Sequence, residues 1–148
     1  IDGKPSNKKI ADALRVSQAS EFVSKLEDGE KSHIAQGGTN ISGGQKQRLS
    51  IARTIARNPE IYIFDDSFSA LDYKTDSTLR RELREYTKDA TVMIVAQRIG
   101  TILNADKIVV LDNGKCVGVG THNELMKKCK VYKEIALSQV SKEELENV

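Results

Sequence analysis

Four consecutive apolar residues, Ile61-Tyr62-Ile63-Phe64, run straight into two acids, Asp65-Asp66. A short unbroken apolar run of this kind is the pattern of a buried strand, here with carboxylates at its C-terminal end. The residues beyond it have the rhythm of an α/β lobe. Leu79, Leu83 and Tyr86 space a helix over Lys74 to Tyr86. Thr91 to Ala96 is a second β-branched strand, and a short segment comes next around Thr101 to Asn104. Ile108 to Leu111 and Cys116 to Val119 flank Asn113-Gly114, a strong hairpin signal because both turn positions need φ > 0. Thr121 with Glu124 three residues on is a capping box that opens a last helical region. Strand, helix, strand, hairpin and helices predict an α/β fold built on a mainly parallel sheet.

The chain before that run has another texture. Ile1 to Pro5 reads as a turn, and Ser6 is placed to cap a helix through Ile10, Ala13 and Leu14 toward Ala19. Phe22, Val23 and Leu26 predict a second short helix. Both periodicities fail in the polar connector Asp28 to Asn40. A helix is expected over Ser42 to Arg57, ended by Asn58-Pro59, since the residue before proline is pushed out of the helical region. The first 57 residues therefore read as helical, residues 58–148 as α/β, with the subdomain boundary near Asn58-Pro59.

Composition removes several classes. At 148 residues, one domain with a real core is expected, and 5% aromatics with no tryptophan make that core aliphatic. No stretch approaches the roughly 20 apolar residues of a membrane span, and no signal-peptide pattern is present. A net charge of +2 from 23 basic and 21 acidic residues gives no reason to expect nucleic acid or anionic lipid as a partner. Cys116 and Cys129 lack metal-ligand spacing despite His122 between them, and with His33 they predict neither metal nor disulfide scaffold. The expectation is a soluble intracellular domain.

Ser42-Gly43-Gly44-Gln45 stands where the connector becomes a helix. Two readings share its geometry: a capping box, or an anion site made by free N–H groups and the positive helix end, with glycines admitting a phosphate. Ile41-Ser42-Gly43-Gly44-Gln45, with Gln47-Arg48 and Ala52-Arg53 behind it, closely resembles the signature motif of ATP-binding cassette (ABC) ATPases. Ile61 to Asp65 resembles their Walker B strand, and Ser69-Ala70-Leu71-Asp72 their D-loop. The order and spacing of three motifs make the resemblance specific, and it extends to nearly the whole chain. It implies a P-loop NTPase-like α/β fold, the C-terminal part of an ABC ATPase core joined to its helical signature subdomain. No G-x-x-x-x-G-K-[ST] phosphate loop occurs in the sequence. The chain thus resembles the C-terminal fragment of an exporter-type nucleotide-binding domain, not expected to hydrolyse ATP in isolation.

The resemblance assigns roles residue by residue. Asp65 would bind Mg²⁺ beside the phosphates of ATP, as a hard cation requires. Asp66 stands where hydrolytic members carry Glu to polarise the attacking water. It is one methylene shorter, about 1.5 Å of reach, in a step that tolerates only ~2.6–3.2 Å. Gln97 stands where the family places a His at the γ-phosphate, and an amide can donate a hydrogen bond but cannot become cationic. Gln36 replaces a common Glu in the loop before the signature. Changes at both chemical positions resemble the degenerate-site subunit of a heterodimeric multidrug or lipid exporter; a slow homodimeric site is the alternative. Asp65, Asp66 and Gln97 would serve the chain's own ATP. Ser42, Gly43, Gly44 and Gln45 would face the ATP of a second nucleotide-binding domain, and Asp72 would lie at that interface. A transmembrane domain of the same transporter is the other implied partner, with the cassette on the cytoplasmic side of the membrane. Rival readings are a lobe of a chromosome-maintenance or DNA-repair ATPase, though no long heptad-bearing segment occurs here, and a truncated regulatory module without enzymatic activity.

Overall fold

A computed structural model describes residues 5–146 of the chain, so the turn expected at Ile1 to Pro5 lies, but for Pro5, outside the described residues. The chain divides into two compact units, Ile1–Val95 and Ala96–Val148. Asn58-Pro59 lies inside the first unit, where helix gives way to strand.

In the first unit, α1 (Asn7–Val16) is capped by Ser6, whose hydroxyl oxygen accepts from the Lys9 N–H at 3.4 Å. Then come α2 (Ser20–Ser24), two 3₁₀ turns at Gly29–Lys31 and Gln36–Gly38, and α3 (Gly43–Arg57). Asn58 ends α3 in the left-handed region at φ 46°, a conformation asparagine tolerates better than most residues. β1 (Ile61–Asp65), α4 (Tyr73–Tyr86) and β2 (Thr91–Val95) form a βαβ unit whose strands pair in parallel, Ile61 opposite Thr91 through Asp65 opposite Val95. The core joins Val16 and Phe22 of the first helices, Ile51 and Ile55 of α3, Tyr62 and Phe64 of β1, and Leu79 and Leu83 of α4. Arg48 ties α3 to the α1–α2 turn: its guanidinium donates to the Gln18 carbonyl at 2.7 Å and lies 4.7 Å from the centre of the Phe22 ring.

The buried-strand expectation for β1 holds on one face only. Tyr62 and Phe64 are 1% and 2% exposed, whereas Ile61 and Ile63 are 60% and 62% exposed, as is Met93 of β2 at 55%. Successive strand residues point to opposite faces, so an apolar run needs a layer on each side. Here the helices of the unit cover one side, and no described residue covers the other to that degree.

The second unit holds α5 (Ile99–Ile102), β3 (Ile108–Asp112), β4 (Lys115–Gly120), α6 (His122–Lys128) and α7 (Lys130–Glu146). The short segment expected around Thr101 to Asn104 is thus a helix beginning two residues earlier. Asn113 and Gly114 both have positive φ, 47° and 74°, as a tight hairpin turn requires. β3 and β4 pair antiparallel with a bulge between Val110 and Leu111. Only β1 and β2 pair in parallel, so the sheet is not mainly parallel within the described residues: two two-stranded sheets replace it. Thr121 and Glu124 form the predicted capping box of α6. Ile108, Val110, Leu125, Cys129, Tyr132 and Ala136 make this unit's core.

Candidate functional site

The first candidate residues sit at the start of α3. Ser42 is its N-cap; its hydroxyl oxygen accepts from the Gln45 N–H at 3.2 Å, and the Gln45 side-chain oxygen accepts from the Ser42 N–H at 2.9 Å. The Ser42 hydroxyl oxygen and the Gln45 side-chain oxygen therefore hold the turn as acceptors. Gly43 and Gly44 lie in the first turn, where N–H groups have no intrahelical acceptor and the helix end is positive. Gly44 has a second reason to be glycine. A Cβ built on it would stand 2.9 Å from the Ala70 carbonyl oxygen, closer than such atoms approach, whereas one on Gly43 would find only the Ala70 Cβ, at 3.8 Å.

That contact brings the helix start against the loop between β1 and α4. Gln47, one turn into α3, grips the same loop with both ends of its amide. Its Nε2 donates to the Asp66 carbonyl at 3.1 Å and to Ser69 Oγ at 3.0 Å, and its Oε1 accepts from the Ala70 N–H at 2.9 Å. In the sequence Gln47 belongs to the motif but has no task of its own; its spacing from Gln45 carries no signal of what it touches. Asp65 and Asp66 are both exposed at the end of β1. Asp66 has φ 46°, in the left-handed region that costs most L-residues about 1–2 kcal/mol and aspartate somewhat less. Its N–H reaches toward the Val95 carbonyl of β2 at 3.4 Å, and its carbonyl also accepts from Ser69 Oγ at 3.2 Å. Asp72 caps α4: Oδ1 accepts from the Thr75 N–H at 3.0 Å, and this bond, then the Thr75 hydroxyl, holds its carboxyl below the ordinary range.

The first unit thus brings Ser42, Gly43, Gly44, Gln45, Asp65, Asp66 and Asp72 onto two adjoining segments. Gln97 belongs to the second unit. Its side chain is exposed, and its backbone carbonyl accepts from Gln139 of α7 at 2.7 Å, a partner 42 residues away that the sequence did not signal. Gln36 opens the second 3₁₀ turn, outside this cluster. Among the described residues no three His, Cys, Asp or Glu side chains gather to hold a metal. Magnesium does not need such a cage, since it keeps several waters and takes one or two carboxylates together with nucleotide phosphates. The exposed Asp65 fits that demand. The glycine-flanked start of α3 fits a phosphate.

Residues 5–69 match the family model described as ABC transporter. Over 128 residues, 86% of this chain, the sequence is 52% identical to an uncharacterized ABC transporter ATP-binding protein of Mycobacterium tuberculosis (strain ATCC 25618 / H37Rv). Residues 5–69 carry the ABC transporter domain. An ATP-dependent lipid A-core flippase of Francisella tularensis subsp. tularensis (strain SCHU S4 / Schu 4) is 42% identical over 127 residues. The structure of a bacterial Atm1-family ABC exporter with ATP bound matches with a TM-score of 0.89 at 32% identity, covering 93% of this chain and 24% of that one. The chain spans 22% and 21% of the length of the two sequence relatives. The ABC match makes the fold P-loop NTPase-like, as the motifs implied. No helix among the described residues is long and apolar enough to cross a membrane.

Proposed function

We propose that this chain forms the C-terminal part of the ATP-binding cassette of an ABC exporter, where it couples ATP binding and hydrolysis to transport through a transmembrane domain. The observation that carries the proposal is the packing of the signature helix on the acid-bearing loop. Gly44 abuts Ala70, and Gln47 binds Asp66, Ser69 and Ala70. Residues assigned to two nucleotides thereby lie on one rigid piece.

In this reading the start of α3 presents the N–H groups of Gly43 and Gly44 to the γ-phosphate on a second nucleotide-binding domain, while Ser42 and Gln45 keep that turn in shape. Asp65 takes the magnesium ion, which neutralises phosphate charge when bound with ATP. Asp66 orients water, but from a side chain one methylene short, and Gln97 offers the γ-phosphate a neutral donor. Asp72 stiffens the start of α4 at the interface between cassettes. The chain's own site then holds ATP and hydrolyses it poorly, while its signature serves a partner site; the partner is a different subunit, and the assembly lies on the cytoplasmic side of the membrane. The helical subdomain ends near Asn58-Pro59, where α3 meets β1.

The test is steady-state ATPase activity of the intact parent transporter. Asp66→Glu with Gln97→His restores reach and a cationic contact, and turnover at that site should rise about 10–100-fold, in the range of general-base and electrostatic contributions. Unchanged turnover in the double variant would remove these residues from nucleotide chemistry.

A further inference from the structure

Gln139 stands out in the second unit because a polar side chain occupies a position where the helix pattern calls for an apolar one. Tyr132 and Ala136 of α7 are buried at 2% and 3% exposure, and Gln139 continues the same face three residues on. Its amide is used at both ends. Nε2 donates to the Gln97 carbonyl at 2.7 Å, and Oε1 accepts from the Ile99 N–H at 2.7 Å. One side chain therefore bridges the backbone on either side of Arg98, much as a neighbouring strand would.

Neither bond is replaceable from within the segment. The Ile99 N–H opens α5, where a first-turn donor has no helical acceptor, and Arg98, the N-cap of that helix, contributes no side-chain cap. Gln97 lies between the end of β2 at Val95 and the start of α5, outside both elements. Ile99 is buried, so its N–H is poorly served by water. With both backbone groups fixed, the direction in which the exposed Gln97 side chain leaves the chain is set by α7.

We infer that Gln139 is a positioning residue for Gln97: α7 holds the Gln97 backbone so that its amide points where a terminal phosphate is met. This rests on the reading of Gln97 as a γ-phosphate contact. It predicts a signature in nucleotide selectivity, because a contact to the γ-phosphate exists for ATP and not for ADP.

The experiment uses the full-length transporter and equilibrium binding of Mg-ATP and Mg-ADP in the cold, where turnover is suppressed. Gln139→Leu removes both bonds at similar volume. Gln139→Glu keeps an acceptor for the Ile99 N–H, loses the donor to the Gln97 carbonyl, and secures the test if the leucine variant fails to fold. Gln97→Ala should lower the preference for ATP over ADP about tenfold, as loss of one charge-assisted hydrogen bond does. Gln139→Leu and Gln139→Glu should lower it about 3–10-fold on the same scale, with ADP affinity held within about twofold. In the Gln97→Ala background neither should lower it further. Equal weakening of both nucleotides, or the same fractional loss with and without the Gln97 side chain, would show that Gln139 only supports the fold and overturn the inference alone. If Gln97→Ala itself leaves selectivity unchanged, the reading of Gln97 fails and the inference falls with it.

Discussion

Gln47→Leu tests whether the signature helix holds the loop after β1 through one side chain. Leucine matches glutamine in helix propensity and roughly in size, so α3 itself should be undisturbed. The substitution removes donation to the Asp66 carbonyl and to Ser69 Oγ and acceptance from the Ala70 N–H. Three net hydrogen bonds at about 0.5–1.5 kcal/mol each would sum to roughly 1.5–4.5 kcal/mol. Two features of the site pull the figure below that range. Ser69 and Ala70 are exposed, so water replaces part of what is lost, and Ser69 Oγ keeps its own bond to the Asp66 carbonyl at 3.2 Å. The expected cost is therefore about 1 kcal/mol, confined to the loop, or a factor of about five in its opening equilibrium. Amide hydrogen exchange resolved at Ala70, in the nucleotide-binding domain that carries this segment, reads that factor directly. Exchange at Ala70 should accelerate about fivefold while the amides of Ile51 and Ile55 in the same helix stay unchanged. Exchange at Ala70 within about twofold of the parent would refute the clamp, and uniform acceleration along α3 would mean that the helix rather than the loop had been loosened.

The two signature glycines should separate. Gly44→Ala forces a Cβ to 2.9 Å from the Ala70 carbonyl and should lose about 1–3 kcal/mol, whereas Gly43→Ala, with its nearest neighbour at 3.8 Å, should be nearly neutral by urea unfolding of the same domain. Because the Asp72 carboxyl is held below its ordinary value by the Thr75 N–H and hydroxyl, the cap contributes stability above the unfolded-state value and loses it as pH falls through the lower folded value. The Thr75 amide resonance should report that acid transition, and Asp72→Asn, which keeps a capping oxygen, should abolish it; a Thr75 titration that survives the substitution would disprove the assignment. The isolated 148-residue chain should self-associate through Ile61, Ile63 and Met93, and Ile63→Lys with Met93→Lys should shift it toward monomer in light scattering. A monodisperse monomer of the parent chain would contradict that expectation.

Local structure was legible in the sequence wherever a few neighbouring residues suffice to set it. Ser6, Ser42 and Thr121 cap helices as their spacing predicts, and Asn113-Gly114 closes the hairpin, because each signal acts within about four residues on the backbone it governs. The motif order likewise identified the family from residues 41–72 alone. What the sequence could not supply are the distant partners. Gln47 and Gln139 look like any helix glutamine, and their roles exist only because α3 packs on the β1–α4 loop and α7 passes beside Gln97. Gly44 read as a residue that admits a phosphate; the tertiary structure adds that it admits the Ala70 carbonyl. The run Ile61 to Phe64 determined that a strand forms, but which of its faces is covered depends on the layers brought against it. A strand's pattern records the burial its side chains require, and only the packed structure decides what meets each face.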